Sequence, residues 1–264
     1  MNQMVFLIVS LGASVIGAIC GIGGGIIIKP VLDVFGLASV STVSFLSSCT
    51  VLSMSCYSVG KAMWHGEQEI SVRTSTPLAI GAAIGGVIGQ RAFTLIKGLF
   101  SQPNTVGAVQ AVCLFVITLG TLVYSLKKES IAAHHVTSPI LCTAIGLALG
   151  IMSSFLGIGG GPINLVVLRH FFSMKTKTAA QNSLYIILFS QLANMFTLIL
   201  SATVPAFSWL SLGLMVAGGL GGGMIGRKLH EIMNSHTIDH LFIGLMIVIM
   251  LICIWNTYRY AIGM

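Results

Sequence analysis

Charge is scarce in this sequence, and acidic charge is the scarcest. Asp, Glu, Lys and Arg make up 7% of the 264 residues, whereas a soluble domain carries about 25%. Because so few charges cannot cover a surface that faces water, we place the chain in the cell membrane as a multi-pass protein. The 13 basic residues outnumber the 6 acidic ones. They stand between apolar segments, as in membrane-protein loops, so we expect no nucleic-acid partner.

Motifs for catalysis and metal binding are also missing. There is no HExxH sequence, and no His–carboxylate pair or Ser/His/Asp set falls within the apolar segments, so we do not expect an enzyme. The six cysteines lack the spacing of a disulfide framework or a zinc site. His134-His135 and the pair His236/His240 lie in or near predicted loops without further ligands. We therefore expect neither a metal nor another cofactor. The first twenty residues lack a basic n-region, which argues against a cleaved signal peptide.

Long apolar segments dominate the chain instead. Most have the roughly 20 residues that a membrane-spanning helix needs, and short polar stretches separate them. They cover residues 3–37, 40–60, 77–96, 105–126, 138–168, 179–200, 207–226 and 238–258. This pattern predicts an all-α polytopic membrane protein.

The second half of the chain resembles the first. The stretch Gly21-Ile22-Gly23-Gly24-Gly25 reappears 136 positions later as Gly157-Ile158-Gly159-Gly160-Gly161. At the same offset Ser47 meets Ser183, and one residue further on the glycine-rich run from Gly81 meets the run from Gly218. We predict two transmembrane repeats of four segments each, in residues 1–130 and 131–264.

The first segment of each repeat is too long for one crossing. Residues 3–37 would form a helix about 52 Å long, against a hydrocarbon core of about 30 Å. The glycines predict a break, which gives either a bent single crossing or a hairpin that enters and leaves on one side. With hairpins the second repeat is inverted, and nine basic residues lie at one face against three at the other. The nine are Lys61, Arg73, Lys127, Lys128, Arg169, Lys175, Lys177, Arg227 and Lys228, and the three are Arg91, Lys97 and Arg259.

If each repeat instead crosses the membrane four times, the basic residues other than Lys29 divide seven against five between the two faces. The nine-against-three distribution follows the positive-inside rule better. We therefore favour inverted repeats with both termini outside. Parallel repeats stay open as the alternative.

Each glycine cluster is predicted to begin a helix inside the membrane. Unpaired backbone groups are tolerated there only when they are buried in protein or line a wet cavity. Pro162, directly after the second cluster, suits a first helical turn. Free N–H groups and the positive end of the helix dipole attract anions, and two such ends form a typical transporter site. Close helix packing is the alternative for these clusters, and it is our interpretation of "GAAIGGVIGQ" and "GGLGGGMIG".

Polar residues inside the predicted spans complete the candidate site. The span after each glycine cluster is rich in hydroxyl and amide groups, which can solvate an anion; interhelical hydrogen bonding is the alternative. Lys29 attracts an anion in one interpretation, and in the other it pairs with Asp33 or snorkels. The predicted substrate-binding residues are Gly21, Gly23, Gly24, Gly25, Lys29, Ser47, Gly157, Gly159, Gly160, Gly161, Asn164, Gln181, Asn182 and Ser183.

The stretch "GIGGGIIIKPVL" resembles the glycine-rich signature of the sulfite exporter family TauE/SafE. The matching residues are Gly23, Gly24, Gly25, Pro30 and Leu32. Gly159 to Gly161 resemble the family's second repeat, so the resemblance covers essentially the whole chain. It implies export or permeation of small anions, sulfite and organosulfonates among them. The chain departs from the family at Leu46-Ser47 and Asn182-Ser183, where members commonly carry Thr-Ser.

These features predict a transporter that moves a small anion, such as sulfite or an organosulfonate, out of the cytoplasm by alternating access around the two GIGGG breaks. A membrane scaffold or assembly protein without transport is one alternative, and an uptake permease for another small metabolite is the other. The expected partners are a small anionic substrate and the lipid bilayer, with a homo-oligomer left open. The sequence does not specify the anion, the coupling ion or the direction.

Overall fold

The computed structural model describes residues 2–64, 70–99, 103–128, 134–158 and 160–262, and the regular secondary structure in these ranges is helical. The helices are α1 (Asn2–Cys20), α2 (Gly25–Phe35), α3 (Val40–Trp64), α4 (Val72–Leu99), α5 (Pro103–Lys127), α6 (Pro139–Leu156), α7 (Pro162–Phe172), α8 (Thr176–Leu200), α9 (Trp209–Ile232) and α10 (Ser235–Ile262). Eight are long and apolar enough to cross a membrane, and α2 and α7 have 11 residues each. The prediction of an all-α polytopic membrane protein is confirmed.

The two long apolar segments, 3–37 and 138–168, are each divided at their glycine cluster. Four glycines in the two breaks have backbone conformations that other residues rarely adopt, so neither helix can continue through them. They are Gly21 (φ 71°), Gly23 (φ 68°), Gly157 (φ 64°) and Gly160 (φ 137°). Pro162 stands in the first turn of α7, as predicted.

The chain turns back after the first break, because α1 and α3 run in the same direction. Gly218, Gly222 and Gly226 of α9 lie in turn against Ser10, Ser14 and Ala18 of α1. On another face of α9, Gly219 lies against Thr50 of α3, and Gly223 lies against Met54. Both helices are therefore parallel to α9, and α2 carries the chain back between them.

Helices α4, α6 and α8 run parallel to one another and opposite to α3. Ser75 and Gly86 of α4 lie in turn against Asn182 and Ser190 of α8. The later part of α8 meets the early part of α3 at Met195 and Cys49, whereas the start of α8 lies at the end of α3 and α9. Gly81, Gly85 and Gly89 of α4 lie in turn against Thr143, Leu147 and Ile151 of α6. An added Cβ at any of these three glycines would overlap a carbonyl oxygen of α6. Since the glycines of α9 approach α1 in the same way, the packing interpretation of both glycine-rich runs is confirmed.

Burial is arranged as a membrane protein requires. Large apolar side chains such as Ile84, Phe196 and Leu251 are exposed on the outside of the bundle, where lipid would lie. Polar side chains such as Ser47 and Gln191 are fully buried in its interior. The polar interior therefore lies between α3, α8 and the two helix breaks.

Candidate functional site

The two helix breaks meet in the middle of the bundle. Gly25, the first residue of α2, lies so close to the second break that an added Cβ would overlap the carbonyl oxygen of Ile158. The same Cβ would stand 3.1 Å from the hydroxyl of Ser47 on α3. Gly21 is in similar contact with Ala180 of α8. Segments distant in sequence thus form one centre, at which only glycine fits at positions 21 and 25.

The N-terminus of α2 lies at this centre. The first N–H groups of a helix have no acceptor within that helix. The Gly24 carbonyl accepts hydrogen bonds from Ile27 and Ile28, each 3.0 Å long. Within the described chain, the N–H groups of Gly25 and Ile26 donate to no backbone carbonyl. These donors, together with the positive end of the helix dipole, make the start of α2 suited to an anion.

The start of α7 adds a second polar wall. Asn164, in the first turn of α7, is buried, and its side-chain oxygen has no hydrogen-bond partner in the described chain. Ser153 of α6 and Ser190 of α8 line the same small space, and their hydroxyls have no partner either. Because buried polar atoms are nearly always hydrogen-bonded in proteins, this cluster requires an explanation.

The largest set of such atoms lies on α3 and α8. Gln191 is 0% exposed, and neither the oxygen nor the nitrogen of its amide has a partner within the described residues. An unsatisfied buried polar group costs about 1–3 kcal/mol, which a ligand with matching groups would recover. The set also includes Ser55 and Ser58 of α3; its remaining members, called the α3–α8 polar cluster, are Ser44, Ser47, Gln181, Ser183, Ser190, Gln191 and Asn194.

A cavity of about 240 Å³ borders this cluster, between α3, α4, α6 and α8. Its polar lining includes Ser44, Ser48, Gln90, Ser154 and Asn194. Its inner end reaches the second helix break at Gly157, and its outer end reaches the chain that follows α8. One water occupies about 30 Å³ in the liquid, so the cavity has room for a small anion and part of its hydration shell.

Lys29 faces the second helix break and not Asp33. Its Nζ donates to Oε1 of Gln110 at 2.6 Å and to the carbonyl of Leu156 at 2.7 Å. Gln110 in turn donates to the carbonyl of Phe155 at 2.8 Å. Among the described residues there is no direct ion pair between Lys29 and Asp33, so the bonds of the Lys29 ammonium go to Gln110 and Leu156 and not to its neighbour on α2. The Lys29 side chain is 4% exposed, which also excludes snorkelling.

Asn182 holds the beginning of α4. Its Oδ1 accepts hydrogen bonds from the Ser71 N–H at 2.9 Å and from the Ser75 hydroxyl at 2.5 Å. Its Nδ2 donates to the carbonyl of Thr178 at 2.6 Å. These bonds direct the amide toward the start of α4, whereas the cavity lies near the end of α4.

The structure brings most of the predicted site residues to the helix breaks. Gly21, Gly23, Gly24 and Gly25 form the first break and the start of α2, and Gly157, Gly160 and Gly161 form the second break. Gly159 lies outside the described residues. Sequence reasoning missed Gln90, Gln110 and Ser154. The amide of Gln110 is an isolated polar group in an otherwise apolar span, and Gln90 stands beside Arg91 near the end of its span; these positions were the available signal.

Comparison with known proteins gives consistent matches over the chain. The family model described as "Sulfite exporter TauE/SafE" matches residues 6–252. "Probable membrane transporter protein YunE" from Bacillus subtilis is 22% identical over 265 residues, which cover 90% of this chain and 92% of YunE.

Two longer relatives share the same description. "Probable membrane transporter protein MamO" from Magnetospirillum gryphiswaldense is 24% identical over 271 residues, and its namesake from Paramagnetospirillum magneticum is 23% identical over 279. The alignments cover 90% and 93% of this chain but only 42% and 43% of the MamO proteins. No solved structure matches the chain significantly.

Proposed function

The chain belongs to the TauE/SafE sulfite exporter family of membrane transporters, and on this premise we propose that it exports a small oxyanion, such as sulfite or an organosulfonate. The observation that carries this proposal is the cavity that reaches the second helix break at Gly157, beside the α3–α8 polar cluster. Among the buried polar atoms without partners, the serine hydroxyls and Nε2 of Gln191 are donors that an oxyanion would satisfy.

The donors around the centre suit an oxyanion. In our proposal, the substrate oxygens accept hydrogen bonds from the N–H groups of Gly25 and Ile26 and from the hydroxyl of Ser47. Nε2 of Gln191 and the side-chain nitrogen of Asn194, which lines the cavity, supply further donors. Mostly neutral donors bind an anion without holding it permanently, as transport requires, and Lys29 supplies positive charge from behind the second break.

The packing of the helices supports two inverted repeats as the machinery. The contact of α1 with α9 has its counterpart in the contact of α6 with α4, and the contact of α3 with α9 has its counterpart in that of α8 with α4. Each half has five helices, and α1 runs opposite to α6. An inverted pair of broken helices around a central site supports alternating access, in which one half rocks against the other.

The distribution of basic residues supports an orientation. The nine basic residues counted on one face all stand near the ends of α3, α5, α7 and α9 or the starts of α4 and α8. By the positive-inside rule, we place this basic end in the cytoplasm. Both termini and the open mouth of the cavity then lie outside.

Flux measurements with reconstituted protein test the proposal. Purified protein in liposomes should move sulfite and at least one organosulfonate, while chloride and acetate serve as comparison anions. Asn194→Ala should reduce flux at least tenfold. The matched control is Thr197→Ala, one turn along α8, where the hydroxyl bonds its own helix at the Ala193 carbonyl. Folded wild-type protein that neither binds nor moves any sulfur oxyanion would overturn the proposal and favour a scaffold.

A further inference from the structure

The open cavity has a closed counterpart at the basic end of the molecule. The repeat offset of 136 or 137 residues pairs the cavity residues Gln90, Asn194 and Gly157 with Arg227, Ser58 and Gly21. The guanidinium of Arg227 donates to the carbonyl of Ser58 at 2.8 Å, which ties α9 to α3. Gly21 packs directly on Ala180. The site at the basic end is therefore shut where the site at the other end is open.

Buried apolar residues complete the closure. Ala18, Ala180 and Leu184 are buried, and they correspond to Ser154, Ser44 and Ser48 of the open cavity. At the rim, Lys177 of α8 donates to the carbonyl of Glu231 on α9 at 3.0 Å. The closed face, made of α1, α3, α8 and α9, is thus held by buried apolar residues and by side chains that bond backbone carbonyls of the neighbouring helix.

Arg227 is the main chemical difference between the two ends. It is 1% exposed, and it stands where the other half has the neutral Gln90. Its Nε lies 3.2 Å from Oε1 of Glu231, which is 47% exposed on its side chain. Guanidinium groups bind oxyanions more strongly than they bind carbonyls, because both partners are charged and two parallel hydrogen bonds can form. An anion can therefore displace the Ser58 carbonyl from Arg227.

We propose that Arg227 locks the basic end shut and, when that end opens, becomes the residue that binds the incoming oxyanion. This inference rests on the proposed transport of an oxyanion. Binding of the anion competes with the Arg227–Ser58 bond and so favours opening of the basic end. At the other mouth the position that corresponds to Arg227 holds the neutral Gln90, and the exposed Arg91 beside it lines the adjoining space. The buried cation at this position is therefore present at the basic end, where we expect the higher apparent affinity for the anion.

Cysteine accessibility tests the locking role without any transport. In a cysteine-free background, Ser58→Cys and Asn194→Cys report on the closed and open ends through a membrane-impermeant maleimide. Ser58→Cys leaves the lock in place, because Arg227 bonds the backbone carbonyl of Ser58. We expect slow labelling at position 58 and fast labelling at position 194. Arg227→Gln, which places at this position the residue that the other end has, should raise labelling at position 58 at least tenfold and slow labelling at position 194.

Arg259→Gln is the matched control. Arg259 of α10 donates to the carbonyls of Asp33 and Val34 on α2 at 2.6 Å each. Like Arg227, it joins two helices by bonding backbone carbonyls, but it lies at the other end of the bundle. This variant should lower the melting temperature without changing the labelling rate at position 58. If Arg227→Gln behaves as Arg259→Gln does, Arg227 is only structural and the proposal is overturned.

Sulfite flux measured from each face tests the binding role. Arg227→Gln should raise KM for sulfite at the basic face about tenfold and leave it unchanged at the other face, with Arg227→Lys in between. Gln90→Arg is a second variant, placed in the open cavity where an added side chain has room, and it should lower KM at the other face. Equal changes at both faces would overturn the binding role. Absence of all sulfite flux, with faster labelling at position 58 in Arg227→Gln, would refute the proposed cargo and keep the lock.

Discussion

Lys29 and Gln110 are joined by a buried hydrogen bond of 2.6 Å between α2 and α5, and each also donates to a carbonyl at the end of α6. Together they tie the helix that follows the first break to the helix that precedes the second. The positive charge of Lys29 also lies at the C-terminus of α6, where the helix dipole favours it. The relative position of the two breaks therefore depends on this pair.

Replacing Gln110 with Leu should destabilise the protein. The change leaves the Lys29 ammonium with one fewer acceptor and the Phe155 carbonyl without its donor, and a hydrogen bond to a charged group contributes about 1.5–3 kcal/mol. Thermal unfolding in detergent should show a clear loss of stability. Unchanged melting would mean that the Lys29–Gln110 pair does not support the fold.

Replacing Gln191 with Leu should have the opposite effect on stability. Gln191 is just as buried, but its amide has no partner within the described chain, so an apolar replacement removes a desolvation cost of about 1–3 kcal/mol. We expect Gln191→Leu to melt at the same temperature as the wild type or at a higher one, and to lose at least tenfold in sulfite flux. Full flux in this variant would exclude Gln191 from the substrate site, and Gln110→Leu provides the matched comparison.

The glycines of the first break should tolerate no side chain. Gly25→Ala would overlap the Ile158 carbonyl, and an overpacked interior costs about 1–3 kcal/mol. We expect lower stability and loss of transport. Gly12→Ala on α1 is the control, because an added Cβ there meets no atom within 4 Å. A harmless Gly25→Ala would contradict the close approach of the two breaks.

Asn182 and Asn194 should separate a fold role from a site role. Asn182→Ala removes the acceptor of Ser71 and Ser75 at the start of α4, so it should lower the melting temperature more than it lowers flux per folded molecule. The side-chain oxygen of Asn194 has no partner in the described part of the chain. Asn194→Ala should therefore lower flux with little change in melting temperature. Melting curves and flux on the same preparations check both. Identical behaviour of the two variants would contradict this division.

The main features of the fold were readable from the sequence because they are local. The number of membrane-spanning helices follows from the number and length of the apolar segments. The interruptions at 21–24 and 157–161 follow from glycine and proline, whose backbone preferences need no tertiary context. The packing role of the glycine-rich runs in α4 and α9 was predicted for the same reason. The expectation of an anion site also began with these local features.

Tertiary structure alone decided which polar groups have partners. Spacing along a helix suggested Asp33 as the partner of Lys29, but its acceptors are Gln110 and Leu156, 81 and 127 residues away. Sequence analysis placed Gln181, Asn182 and Ser183 in one candidate site. Packing satisfies the amide of Asn182 with partners at the start of α4 and on α8, and it leaves polar atoms of its two neighbours without partners in the described chain. Two similar halves likewise do not reveal which end is open, because that depends on contacts between the halves. Local sequence sets where a helix breaks, and long-range packing sets what each break faces.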